Sequence, residues 1–213
     1  MGKKNPTLIE ETQGKAVVDA AIAHDVKHFV YTSVDRGGDE KSYDNPTNIP
    51  HFISKHNIEH HLVEDAGSKM TWTILRPVAF MDNLQPGFAG KIFPTAWKTL
   101  TRPLQVVAAR DIGIAGATAL LEPEKYRNRG ISLAGDELSY EQATEVFREK
   151  TGQEMPTTFW IVVTLLFYFV ADVRLMFEWF ESDGYGVDIQ RLRKEFPGLL
   201  TFGDFIKEQE SLN

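Results

Sequence analysis

At 213 residues the chain suits one compact domain with at most a small attached lobe, and 42% hydrophobic with 25% charged residues are proportions of a folded globular protein. Thirty acidic against 23 basic side chains leave a net charge of −7, which opposes approach to a nucleic-acid backbone, so no direct nucleic-acid contact is expected. There is no cysteine, which excludes disulfides, a thiolate nucleophile and cysteine metal sites; residues 1–5 lack the apolar core of a signal peptide, and a cytoplasmic setting is expected, with the nucleus as the other compartment.

Residues 10–23 place Val17, Val18, Ala21 and Ile22 at helical spacing and predict an amphipathic helix. The β-branched and aromatic run at 27–34 predicts a strand. A Gly-, Asp-, Asn- and Pro-rich loop over 35–50 leads to a helix at 51–64, with Ile53, Ile58 and Leu62 facing inward, and then to a second strand at 71–75. Helix, strand, helix, strand implies parallel strands joined by crossovers, with helices lying on the sheet.

Beyond Arg76 the elements shorten: a strand at 104–108, a helix at 111–121, a strand at 131–134 and a helix at 139–151. Ser139 with Gln142 three residues on is a capping-box start, and Gly152 sits where a C-cap glycine belongs. Residues 155–171 run without a charge, at the lower length limit of a spanning helix. Pro156 and three threonines interrupt the run, and Asp172 and Arg174 follow it, so a buried helix or a subunit contact is expected and no membrane span.

Two local patterns invite chemistry. His56-Asn-Ile-Glu-His60 matches the HxxEH pattern of certain zinc peptidases, in which two histidines one helical turn apart share the metal and the glutamate serves as base. A third ligand has no evident source and His61 follows directly, so the segment reads as a histidine-rich surface helix and no metal is expected. Gly37-Gly38 follows a strand but precedes a loop rather than a helix, which makes it a plain turn and not a phosphate loop.

Several segments carry a resemblance when taken in order. They are the stretch from Gln13 to Val34, the loop and helix with His51 and Lys55, and Leu75-Arg-Pro-Val-Ala-Phe-Met-Asp-Asn83. Ala109-Arg-Asp-Ile-Gly113, Leu133-Ala-Gly-Asp-Glu-Leu-Ser139 and Met176-Phe-Glu-Trp-Phe180 with Gly184-Tyr185 follow. Together they resemble the NmrA-like group of atypical short-chain reductases. The resemblance implies an α/β fold: a partial Rossmann-type parallel sheet over residues 1–84, with a small mixed lobe over 85–213 packed on it as a lid.

It also implies NADP(H) as cofactor, but no glycine-rich turn between a strand and a helix occurs here, so binding by this chain is expected to be weak or lost. The Tyr-x-x-x-Lys pair of the superfamily reads His51-Phe-Ile-Ser-Lys55, which leaves His51 as proton donor and Lys55 as the ribose-binding lysine. Ser33 at its strand end would orient a substrate carbonyl, and the segment with Pro77, Val78, Phe80 and Asn83 would pass under the nicotinamide. Each has a plainer reading: a helix-start histidine, a solvated lysine, a serine bonded to backbone, a core phenylalanine. Function is thus left among an NADP-dependent oxidoreductase, a redox sensor acting on a regulatory protein, and a cofactor-independent or inactive remnant. The partner is a small-molecule substrate or a regulatory protein, and self-association is expected through an uncovered sheet edge or the 159–171 segment.

Overall fold

The computed structural model describes residues 6–211, so residues 1–5, read above for a leader, lie outside them. In chain order the elements are α1 (Pro6–Ala23), β1 (His28–Thr32), α2 (Pro50–Ala66), β2 (Thr71–Pro77), β3 (Ala79–Phe80), α3 (Ile92–Trp97), β4 (Leu104–Val107), α4 (Ala109–Leu121) and α5 (Pro123–Tyr126). They continue as β5 (Arg129–Leu133), β6 (Asp136–Leu138), α6 (Tyr140–Thr151), α7 (Trp160–Phe169), α8 (Ala171–Ser182), α9 (Ile189–Glu195) and α10 (Phe202–Ser211).

The strands form two small sheets. One is parallel in the order β1-β2-β5, with Phe29 opposite Trp72 and Leu75 opposite Ile131. The other is mixed in the order β3-β4-β6, parallel between β3 and β4 and antiparallel between β4 and β6. The α/β class with a parallel sheet is the one expected from the sequence. Residue 84 does not separate the sheets: β5 lies beyond it and pairs with β2, while β3 lies before it and pairs with β4.

Alternation along the strands builds a three-layer unit, because successive side chains point to opposite faces. Ile74, Phe29 and Tyr31 turn to the side covered by α1 and α2, where Val18, Ala21, Leu62 and Ala66 complete one core. Leu75 and Val30 turn the other way, onto Ile112, Ala115 and Ala119 of α4. Gly14 lets α1 and α2 approach closely, since a Cβ there would meet Ile58 Cδ1 at 2.4 Å. Two expected inward residues shift: Val17 is exposed on α1, and at the start of α2 it is Phe52 that is buried rather than Ile53.

A third core fills the lobe around Trp97, Phe177, Trp179, Phe180 and Phe202. Here α6 begins as its sequence requires: Gln142 N donates to Ser139 Oγ, and Ser139 N donates to Gln142 Oε1. It ends on Gly152 in the left-handed region, at φ 70°. Of the two expectations for 155–171, a buried helix or a subunit contact, the first is corrected. The run folds into the ten-residue α7, bent by 109° against α8, with Val163 its single buried residue. Its apolar side chains encircle the helix, so one side packs on the lobe and the other must face solvent. Among the described residues no single helix is long and apolar enough to cross a membrane.

Candidate functional site

The parallel ladder continues past the end of β1, as Ser33 N donates to Leu75 O at 2.7 Å and Asp35 N to Pro77 O at 3.0 Å. This delivers Ser33, Asp35 and Arg36 in succession to the C-terminal edge of the sheet, where ligands of parallel α/β sheets lie. All three are buried. Asp35 accepts from Gly37 N, Gly38 N, Ser42 Oγ and Ser132 Oγ, at 2.6–3.1 Å, and so clasps the 35–49 loop to β5. The amides of Gly37 and Gly38 are thereby consumed by a carboxylate, which is incompatible with cradling a phosphate at the same time.

Arg36 runs back through the fold. Its Nη1 donates to Val34 O and, at 3.3 Å, to Ser33 Oγ, its Nε to Ser42 O and Asn45 O, and its Nη2 lies 3.0 Å from Glu59 Oε2. Arg76 Nη2 reaches the same Glu59 oxygen at 2.7 Å. Burial opposes ionisation of Glu59, but the hydrogen bonds and charges of Arg76 and Arg36 outweigh it and hold the carboxyl below the ordinary carboxylate range. Glu59 is therefore a structural anion shared by two guanidiniums, not the base of a zinc peptidase. The histidines of that pattern are also engaged, His60 with its Nε2 2.9 Å from Tyr43 O and its ring stacked on Tyr43, and His56 tilted against His60. Asp19, His61 and Asp65 bring ligand-type atoms within 4.8 Å of one another, but both His61 nitrogens already lie 2.7 Å from those carboxylates.

His51 and Lys55 stand one turn apart on α2 and lie beside different carboxylates. His51 Nδ1 lies 3.0 Å from Asp172 Oδ2 at the start of α8. Lys55 Nζ donates to Glu10 Oε1 at 2.8 Å, and Ser54 Oγ donates to Glu10 Oε2 at 2.5 Å. Burial raises the Glu10 pKa, yet these bonds and the Lys55 charge bring it below the usual value. The Lys55–Glu10 pair borders a groove of about 400 Å³ lined also by Val17, Tyr31 and Ile58. Tyr31 belongs to β1, whose ladder among the described residues is with β2 alone, so the groove opens beside an unpaired strand edge. Burial, followed by the charges of Glu10 and Glu59, pushes the Tyr31 phenol far above its ordinary value and keeps it neutral.

Of the remaining sequence-predicted residues, Pro77 and Val78 are buried, with Val78 N donating to Leu133 O at 3.1 Å. Phe80 and Asn83 are exposed. Lys55 lines the groove, whereas Ser33, His51, Pro77, Val78, Phe80 and Asn83 do not. The sequence reading missed Glu10 and Asp172, which lie 45 and 121 residues from their partners and leave no local signal. It also missed a second cavity of about 380 Å³ at the opposite edge of the sheet, beside β5 and α9, whose wall includes the Arg129–Glu195 fork at 2.9 and 3.1 Å.

The sequence profile of the NmrA-like family matches residues 7–196. No curated protein matches the chain. Among solved structures, a nucleoside-diphosphate-sugar epimerase from Staphylococcus aureus superposes with a TM-score of 0.71 at 14% identity, covering 97% of this chain and 74% of its own. Triphenylmethane reductase from Citrobacter sp., complexed with NADP(H), gives a TM-score of 0.71 at 17% identity, covering 97% and 73%. NmrA, a negative transcriptional regulator in complex with NADP, gives a TM-score of 0.62 at 18% identity, covering 93% and 69%. At these identities the likeness is one of fold.

Proposed function

Because the chain belongs to the NmrA-like family, we propose that it is a non-catalytic descendant of NADP(H)-binding reductases, a module that takes the dinucleotide weakly and acts through contact with a regulatory protein. One observation carries this reading: His51 and Lys55, which by the family resemblance stand where the superfamily has its proton-donating tyrosine and its lysine, each lie beside a carboxylate from another element, at 3.0 and 2.8 Å. Lys55 meets a ribose only by giving up Glu10, and the proton-donating phenol has no counterpart at position 51. The triphenylmethane reductase and NmrA structures, both with NADP-type ligands, support the choice of cofactor class. That NmrA is a transcriptional regulator supports the contact role, and with it a cytoplasmic or nuclear redox sensor.

The residues fit the dinucleotide only in part. Gly37 and Gly38 spend their amides on Asp35, and no glycine-rich strand-to-helix turn occurs among the described residues, so the pyrophosphate has no backbone cradle here. When bound, the nicotinamide would supply hydride chemistry, and the group nearest the tyrosine's place by resemblance is the His51 imidazole, beside Asp172.

NADPH fluorescence titration of the full chain tests the reading. The affinity should be at least about a hundredfold below that of the triphenylmethane reductase, or roughly 2.7 kcal/mol. Lys55→Ala should weaken what binding there is, Glu10→Gln should strengthen it by freeing the ammonium, and His61→Ala should do neither. Affinity equal to the reductase, or turnover of NADPH lost in His51→Ala, would show a working enzyme instead.

A further inference from the structure

The outward side of α7 is an apolar surface that the fold leaves uncovered. Phe159, Trp160, Tyr168 and Phe169 are between 72% and 79% exposed, and Ile161, Leu165 and Val170 fill the surface between them. Thr164 Oγ1 donates to Trp160 O at 3.2 Å, so the exposed hydroxyl at the centre is already engaged within the helix. No charged residue occurs between Glu154 and Asp172. Beyond the run, Asp172 faces His51 and Arg174 pairs with Glu178, which leaves neither aimed at the patch as an unsatisfied charge.

We propose that this face is the seam of a homodimer in which α7 of one copy lies antiparallel on α7 of a second. Area is the first reason. At about 200 Å² for a full aromatic side chain, the four aromatics alone expose about 600 Å². With the three aliphatic residues the patch comes close to the roughly 800 Å² per partner that a stable interface buries. Soluble monomers seldom present a continuous apolar patch of that size.

The second reason is self-complementarity. Aromatic pairs stand at both ends of a helix about 15 Å long, with Leu165 in the middle and Ile161 one turn before it. A two-fold axis at Thr164 sets Phe159 and Trp160 of one copy against Phe169 and Tyr168 of the other, as an isologous contact requires. Charge selects a second copy over a bilayer. Helices that lie on membranes carry Lys or Arg along their polar face to meet anionic lipid, whereas α7 has none and the protein is net −7. An uncharged seam lets two like-charged copies meet without opposing charges across it.

Sedimentation velocity on the full chain in detergent-free buffer is the test. The wild-type protein should sediment as a dimer, and the double variant Leu165→Asp/Tyr168→Glu as a folded monomer. Its dissociation constant should rise at least about a hundredfold, because carboxylates of both copies would be desolvated in the seam. As a check independent of folding in that variant, Leu165→Cys in this cysteine-free chain should give a disulfide-linked dimer on mild oxidation, while Glu64→Cys on α2 should not. Three results overturn the proposal: a wild-type monomer at every concentration, a dimer that survives the double variant and so joins elsewhere, or a monomer that co-sediments with phosphatidylcholine vesicles and so assigns the face to lipid.

Discussion

Replacing Glu59 with glutamine removes the carboxylate that Arg36 and Arg76 share, at 3.0 and 2.7 Å, in a place where Glu59 and Arg36 are fully buried and Arg76 nearly so. Breaking a buried ion pair by removing one partner costs about 3–5 kcal/mol, because the remaining charge is left uncompensated out of water. The glutamine oxygen still accepts one hydrogen bond, so the lower end, about 3 kcal/mol, is expected for Glu59→Gln. That is a large part of the 5–15 kcal/mol typical of a whole domain. Urea denaturation followed by tryptophan fluorescence measures it, and with a slope of about 2 kcal/mol per molar the midpoint should fall by about 1.5 M. The exposed Glu64→Gln should leave it unchanged.

The effect carries a pH signature. The folded-state pKa of Glu59 is depressed, so its contribution is complete above the ordinary carboxylate value of 4.5 and is lost as pH falls through the lower folded value. The gap between wild type and Glu59→Gln should therefore hold at neutral pH and close only below 4.5. A midpoint within about 0.3 M of wild type at neutral pH would refute the claim that Glu59 anchors both guanidiniums and, through Arg36, the 35–49 loop.

Two further outcomes follow from the described contacts. Ser139→Ala breaks the capping box of α6 and should cost about 1 kcal/mol, a fall of roughly 2–4 °C in Tm for a chain of this size; an unchanged melt would mean that the helix start is held by other contacts. Elemental analysis after dialysis should find no zinc retained, with His56→Ala indistinguishable from wild type. One zinc per chain that disappears in His56→Ala would instead place Glu59 beside a metal.

Much of the scaffold was legible because its signals are local. The β-branched run at β1, the 3.6-residue spacing of Ile58 and Leu62 on α2 and the Ser139–Gln142 box each act within one or two turns, and each formed the expected element. For the 160–169 stretch the buried-helix reading failed for the complementary reason: apolar residues on every side carry no period, so nothing in the order of residues says which face the lobe will cover.

The sequence by itself determined the family likeness, the α/β alternation, the lack of a glycine-rich dinucleotide turn and the absence of any tyrosine with a lysine four residues on. Each of these is a property of residue identity along a short segment. Only the tertiary structure decided that Lys55 answers to Glu10, that His51 faces Asp172, that Asp35 takes the amides of Gly37 and Gly38 and the hydroxyl of Ser132, and that Glu59 is enclosed by two arginines. The physical reason is that a charge is neutralised by whatever carboxylate or guanidinium the packing brings within hydrogen-bonding distance. That distance is set by how α1, α2 and α8 dock on the sheet and lobe, not by their separation along the chain.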